Sequence, residues 1–291
     1  MATLTYSLWF HDRARQAVNT YVELFDEAQL TGETILRETP SGFVDLYTFT
    51  LGDLSFSAMS AGPYLTLNDS ISVVVHAKNK EEIDRLYKTL SEDGVDRIPL
   101  QSYSFNPYYA WVEDKFGLNW QLMLAREETE NNSFSVCLLF GNKQNGLAAP
   151  AMAFFEEKLG ATLNVSNKYT DFPGKAKTAE IAYGSMSFLG KDFTFMDHGT
   201  GGPSVFSGAF SFTIGCKDQE EIDHYWNLLS AVPEVENCGW CQDEFGIFWQ
   251  IVPEKLQEIT MTADRETLRK IQTTYAHMTK FIIKDLEQFW G

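Results

Sequence analysis

The sequence is poor in cysteine and proline and, above all, in positive charge. Four cysteines in 291 residues do not make a disulfide framework, which excludes the stapled build of small secreted domains and fits a reducing compartment. Lysine and arginine total 23 against 40 aspartates and glutamates, a net charge of −17. Phosphate backbones and anionic membrane surfaces are repelled by such a chain unless a basic patch is assembled, and none is legible along the sequence. No segment approaches the roughly 18 uninterrupted apolar residues of a membrane helix, and the opening MATLTYSLWFHDR lacks a basic region followed by a long apolar run. The expectation is a soluble, cytoplasmic protein with no nucleic-acid and no membrane partner. What is abundant is apolar and aromatic. With 44% hydrophobic and 14% aromatic residues the chain can fill sizeable cores, and its length favours two domains.

The sequence repeats itself. FGLNWQLM from Phe116 recurs as FGIFWQIV from Phe245, SVVVHAKNKEEIDRLY from Ser72 as SFTIGCKDQEEIDHYW from Ser211, and SLWF ending at Phe10 as CLLF ending at Phe140, all in the same order. The offset drifts through insertions near Asn142 to Pro150 and around Gly174, and because Val95 to Pro107 has only a short counterpart, Pro233 to Asn237. Residues 1–127 and 133–255 are therefore two copies of one domain, Arg126 to Asn132 (REETENN) is the linker, and 256–291 is a tail.

Within each copy the hydrophobic period alternates between 2 and 3.6. Thr5 to Phe10 alternates as a strand, and Val18, Tyr21, Val22 and Phe25 then mark one face of a helix. Gly32 to Glu38, Phe43 to Leu51 and Leu54 to Met59 read as strands separated by turns at Pro40, Ser41-Gly42 and Gly52-Asp53. The pattern restarts with the strand Ser70 to His76 and a helix capped by Asn79 with Glu82 three residues on; Asp218 and Glu221 repeat the cap. Strands near Pro107 to Glu113 and Leu118 to Leu124 close the unit. Each copy is thus two strand-helix-strand-strand-strand units.

LWF, a helix ending near VELF, TLGD, EEIDRLY and FGLNWQL, with the ending HMTKFIIKDLEQFWG, resemble the PhnB-like branch of the vicinal oxygen chelate superfamily. This is the glyoxalase, bleomycin-resistance and extradiol-dioxygenase fold, whose PhnB-like branch carries the label 3-demethylubiquinone-9 3-methyltransferase. The resemblance implies an α+β fold of two tandem domains, each with two βαβββ units forming a cup-shaped, eight-stranded mixed sheet. Helices lie outside, and a helical tail covers apolar surface on or between the domains. The product is an intrachain pseudo-dimer, with further dimerisation left open.

The resemblance also implies a metal or small ligand on the concave face, with family metal ligands drawn from His, Gln or Glu on the first and fourth strand of each unit. Alternation places Thr5, Ser57 (or Ser55), Ser70 and Gln121 at these positions in copy one, and Ser135, Met196 (or Thr194), Ala209 and Gln250 in copy two. Neutral hydroxyls and amides hold a divalent ion poorly, so neither a metal nor another cofactor is expected. The expected ligand-binding set is Thr5, Trp9, Ser57, Ser70, Ser72 and Gln121 in copy one, and Ser135, Ser211 and Gln250 in copy two. Trp9 would supply a stacking surface and Gln121 would fix orientation. A bland alternative is that the serines line a watered trough. No catalytic residue is assigned.

Other features have plainer readings. CGWC, Cys238 to Cys241, falls on a strand that aligns with Tyr109 to Val112, where redox and zinc pairs do not form. HGTGGP, His198 to Pro203, reads as a hairpin turn rather than a phosphate loop, and His76 as a structural strand-end histidine. No glycine-rich strand-to-helix turn offers a place for S-adenosylmethionine. The reading is a metal-free protein that binds a small organic molecule, whose net charge suits a cationic ligand as well as plain solubility. A metal-dependent lyase, isomerase or transferase of the same superfamily is the alternative.

Overall fold

A computed structural model describes residues 2–39, 41–171 and 179–290; the turn expected at Pro40 and the insertion expected around Gly174 lie outside the described residues. Four units follow one another. The first is β1 (Thr3–Phe10), α1 (Ala14–Leu24), β2 (Ala28–Thr39), β3 (Gly42–Leu51) and β4 (Leu54–Ser60). The second is β5 (Ile71–Ala77), α2 (Lys80–Leu90), β6 (Val95–Tyr103), β7 (Asn106–Glu113) and β8 (Asn119–Leu124). The third is β9 (Ser133–Phe140), α3 (Ala148–Leu159), β10 (Thr162–Lys168), β11 (Ile181–Phe188) and β12 (Lys191–Asp197). The fourth is β13 (Phe210–Cys216), α4 (Gln219–Leu229), β14 (Trp240–Gln242) and β15 (Phe248–Pro253), and the tail carries α5 (Glu254–Thr262), α6 (Arg265–Tyr275) and α7 (Ile283–Leu286). The caps read from the sequence form: Asn79 Oδ1 accepts the Glu82 N–H at 2.8 Å and Asp218 Oδ1 the Glu221 N–H at 3.0 Å, which satisfies an orphan donor at the start of α2 and α4.

The α+β class, the tandem build and the helical tail are as expected, but the units share cups differently. Sheet A runs β14-β15-β13-β1-β4-β3-β2 and sheet B runs β10-β11-β12-β9-β5-β8-β7-β6. Each sheet therefore joins one unit from each half of the chain, the first with the fourth and the second with the third. The seams are antiparallel, β1 on β13 from Thr3↔Gly215 to Leu8↔Phe210, and β5 on β9 from Ile71↔Leu138 to His76↔Ser133. The short linker makes the second and third units neighbours in sheet B, and its end is pinned there by Asn132, which takes the Lys78 N–H and donates to Glu82. The two segments that cross between sheets run side by side: Asn68 Nδ2 donates to the Val205 carbonyl and Ser207 Oγ to the Thr66 carbonyl.

Sheet A has seven strands rather than eight because Pro233–Val235 forms a 3-10 turn where the second unit has β6. The tail covers that gap, with the N–H groups of Cys238 and Gly239 donating to the carbonyls of Met278 and Thr279. The convex faces of the sheets look inward, with helices between them, and share one core. Phe193 of sheet B meets Phe212 of sheet A at a centroid distance of 5.5 Å, and Phe155 of α3 touches both Phe195 at 5.1 Å and Trp249 at 5.9 Å. On the other side Phe25, just past α1, stacks on Trp120 at 5.2 Å. Such ring pairs contribute about 1 kcal/mol each beyond the area they bury.

Cutting the chain in the linker tests the seams. Residues 1–127 and 133–291, produced separately, each present β-edges that lack their partner strands. Light scattering should find each half self-associated or unfolded and the mixture a 1:1 complex; two folded monomeric halves would contradict the seams.

Candidate functional site

The most recognisable repeat in the sequence proves to be a device for delivering a glutamine. Asp114 Oδ1 accepts the N–H groups of Phe116 and Leu118, while Oδ2 accepts the Trp120 indole at 2.9 Å and the Tyr21 hydroxyl at 2.7 Å. Asp243 repeats this with Phe245, Ile247 and the Trp249 indole at 2.8 Å. The tight turn needs φ of +92° at Gly117 and +88° at Gly246, conformations that favour glycine. A Cβ at Gly246 would also sit 1.9 Å from Gln144 Nε2. With the tryptophan locked into the convex core, alternation turns the next residue, Gln121 or Gln250, onto the concave face.

In sheet A, Gln250 lies in one row with Trp240, Thr213 and Thr5, and Ser211, Ser7, Ser57 and Thr48 form the next row. Ser7 Oγ lies 2.8 Å from both Ser57 Oγ and Thr213 Oγ1, and Gln250 Nε2 donates to Ser211 Oγ at 3.0 Å. Above this hydroxyl floor the tail forms a roof. Leu256, Met261, Tyr275 and Phe281 face Leu36, Leu46 and Met59 across a cavity of about 440 Å³. No charged side chain lines it among the described residues. Burial pushes the Tyr275 phenol up to about 12, so it stays protonated and able to donate.

Sheet B keeps the same row as Trp111, Gln121, Val74 and Ser135, but fills it. Tyr109, Trp111 and Leu139 form a small apolar cluster of their own on the concave side, with Met123 and Met196 against it. Gln121 is only 6% exposed and committed at both ends, taking the Tyr109 hydroxyl at 2.8 Å and donating to Ser72 at 2.9 Å. The trough is left as two basins. One, of about 620 Å³, is lined by Arg97, Tyr169 and His198; the other, of about 650 Å³, by His76, Ser135 and Asp192. His76 Nε2 lies 3.2 Å from Ser135 Oγ, and burial holds its imidazole below the ordinary value, so the ring is neutral at pH 7.

The six residues expected together in copy one are divided between the two sheets. Thr5 and Ser57 join Gln250 and Ser211 in sheet A, whereas Ser72 and Gln121 lie with Ser135 in sheet B and Ser70 stands in the turn just before β5. The strand faces were legible; the seams decide which faces meet. Trp9 stands apart from both floors, its indole donating to the Gly62 carbonyl at 2.8 Å in a crevice shared with His11 and Lys115. Ser70 is buried and spends its hydroxyl on Asn68 Oδ1 at 2.6 Å. Sequence reasoning missed Thr213, which alternation two places after Ser211 would have found, and the tail residues of the roof, whose role no local pattern announces. Cys238 and Gly239 form a turn, with φ of 49° and 81°, rather than part of a strand, and all four cysteines are free thiols. His198 to Pro203 is the start of the crossover to sheet A rather than a hairpin, because β12 is followed by β13 in the other sheet.

A divalent ion, which the fold implies for metal-dependent relatives, does not suit these floors. Thr5, Ser57, Thr213 and Gln250 supply neither carboxylate nor imidazole, and the Ser57 and Thr213 hydroxyls each share a hydrogen bond with Ser7. Among the described residues no three His, Cys, Asp or Glu side chains gather as a metal site. Nor, among them, is any helix long and apolar enough to cross a membrane.

The paired βαβββ units and the concave floors define the vicinal oxygen chelate class. The profile of the family described as 3-demethylubiquinone-9 3-methyltransferase matches residues 2–123 and again 132–252, and the chain belongs to that PhnB-like family. The PhnB protein from Bacillus cereus is 32% identical over 42% of this chain and 98% of its own, with a TM-score of 0.39. Glyoxalase I from Zea mays shares the fold over 90% of this chain and 98% of its own, with a TM-score of 0.57 at 12% identity. Among curated proteins none matches the chain.

The buried aspartates make the site's support sensitive to pH. Burial outweighs the N–H donors and raises the Asp243 carboxyl from 3.8 to about 7. The native state then holds a proton that the unfolded chain has released, so this contribution is complete below about pH 4 and is lost as the pH rises through about 7. The stability difference between the wild type and Asp243→Asn should shrink by about 1.4 kcal/mol per pH unit across that window. Denaturant unfolding at several pH values measures it; a difference independent of pH would mean that Asp243 is ionised throughout.

Proposed function

We propose that the protein binds a small, largely apolar organic molecule in the roofed cavity of sheet A, without a metal. The observation that carries the reading is the pairing of an uncharged hydroxyl and amide floor with an apolar roof around about 440 Å³, a volume suited to a small ring system. Burial of an apolar ligand against Leu256, Met261 and Phe281 supplies affinity at about 25 cal/mol per Å². The floor supplies orientation: Gln250 Nε2 is held by Ser211, which turns its Oε1 to a donor on the ligand, and Thr5 and Thr213 offer hydroxyls of either sense. The uncharged walls favour a neutral ligand over the cationic one that the net charge suits. The site supplies no nucleophile with a paired base, so binding rather than turnover is the function the geometry supports. The methyl transfer in the family's description would need a cofactor site for which the sequence offers no glycine-rich turn.

A thermal-shift screen of neutral and cationic aromatic metabolites tests the reading. Hits should be neutral, should quench Trp240, and should lose about tenfold in affinity on Gln250→Leu and on Thr213→Val, as expected for about 1.4 kcal/mol per orienting hydrogen bond. Ser135→Ala, in sheet B, should leave binding unchanged. Hits sensitive to Ser135→Ala alone would move the site to sheet B.

A further inference from the structure

The geometry points to a second binding site, outside both cups, for a phosphoryl oxyanion. Arg37 of β2 and Arg265 and Arg269 of α6 line one cleft of about 270 Å³ between that strand and the tail helix, in a chain of net charge −17. None of the three makes an ion pair within 4 Å among the described residues. The neighbouring acids are committed elsewhere. Asp264 caps α6, accepting the N–H groups of Glu266 and Thr267, and Glu266 pairs with Lys270 at 2.8 Å. Glu38 is the one acid that lines the cleft, and it is exposed.

A fourth polar side chain backs the arginines. Gln272, which also lines the cleft, is 2% exposed; its Oε1 faces the Arg37 N–H, and its side chain reaches the Tyr275 phenol behind the cleft, so it joins β2 to α6. Arg37 is held in place by stacking on Phe43 at 4.9 Å. Planar guanidinium groups converging from a strand and a helix suit the tetrahedral, multiply charged oxygens of a phosphoryl group, which accept bidentate hydrogen bonds. Since α6 also carries Tyr275 into the roof of the sheet A cavity, an anion that clamps α6 to β2 would hold that roof closed.

Calorimetry and thermal melting with inorganic phosphate and with glycerol 3-phosphate, against chloride at matched ionic strength, test the site. The expected result is 1:1 binding and a melting temperature raised by about 3 °C at roughly ten times the dissociation constant. The rise should be lost in Arg37→Ala and in Arg269→Glu and kept in the surface control Arg13→Ala, with all variants folded by circular dichroism. Tighter binding of the ester would identify a phosphorylated metabolite as the occupant, and equal binding free phosphate. No heat or shift beyond chloride with either probe, or a shift that persists in both cleft variants, would overturn the proposal.

Discussion

The two antiparallel seams, β1 on β13 and β5 on β9, are the constraint on which the rest of the molecule depends. They put strands from both halves of the chain into each sheet, turn the convex faces towards each other, and enclose Tyr6, Phe193, Phe212 and Trp249 in one core. They also bring Thr5 against Thr213 and, one strand on, Gln250, and so create the sheet A floor from residues more than two hundred positions apart. Because side chains alternate with a period of two, a one-residue slip in either seam would turn the floor hydroxyls into the aromatic core.

A duplicated chain need not keep two equal sites. Here each cup has been treated differently. Loss of a strand beside β14 left an edge that the tail covers, and the same tail roofs the sheet A floor with Met261, Tyr275 and Phe281. Sheet B retained its eighth strand and used Tyr109 and Trp111 of β7 to fill the middle of its trough, tying up Gln121. Its outer basin kept a neutral histidine at His76, whereas the corresponding position in sheet A is Gly215, where a Cβ would fall 2.4 Å from Thr3 Oγ1. The cups thus diverge into one with an uncharged lining and one whose basins are lined by aspartate, arginine and histidine side chains as well.

Much of this was legible beforehand because it rests on short-range physics. The repeated FGLNWQL and FGIFWQIV segments carry turn chemistry that acts within a few residues: an aspartate two positions before the phenylalanine, a glycine with positive φ, and a tryptophan whose indole returns to that aspartate. Helix caps at Asn79 and Asp218 are equally local. Alternation placed Thr5, Ser57, Gln121, Ser135 and Gln250 on concave faces, and those faces are where the structure has them. Trp9 and Ser70 are the exceptions: at the end of β1 the Trp9 indole finds the Gly62 carbonyl instead of the floor, and Ser70, in the turn before β5, bonds Asn68.

Local composition and periodicity by themselves determined that the chain is two copies of two units, that its strands have one polar and one apolar face, and that the positions where relatives carry metal ligands hold neutral side chains. Only the tertiary structure decided which concave faces meet, that the tail becomes a roof, and that Arg37, Arg265 and Arg269 stand together in a chain whose sequence shows no basic run. The reason is physical. Alternation and capping are properties of neighbouring residues, whereas four similar units offer nearly equivalent first-strand edges to pair. The choice among those edges is made by the linker, the crossing segments and the shared aromatic core, all of which act between positions remote in sequence.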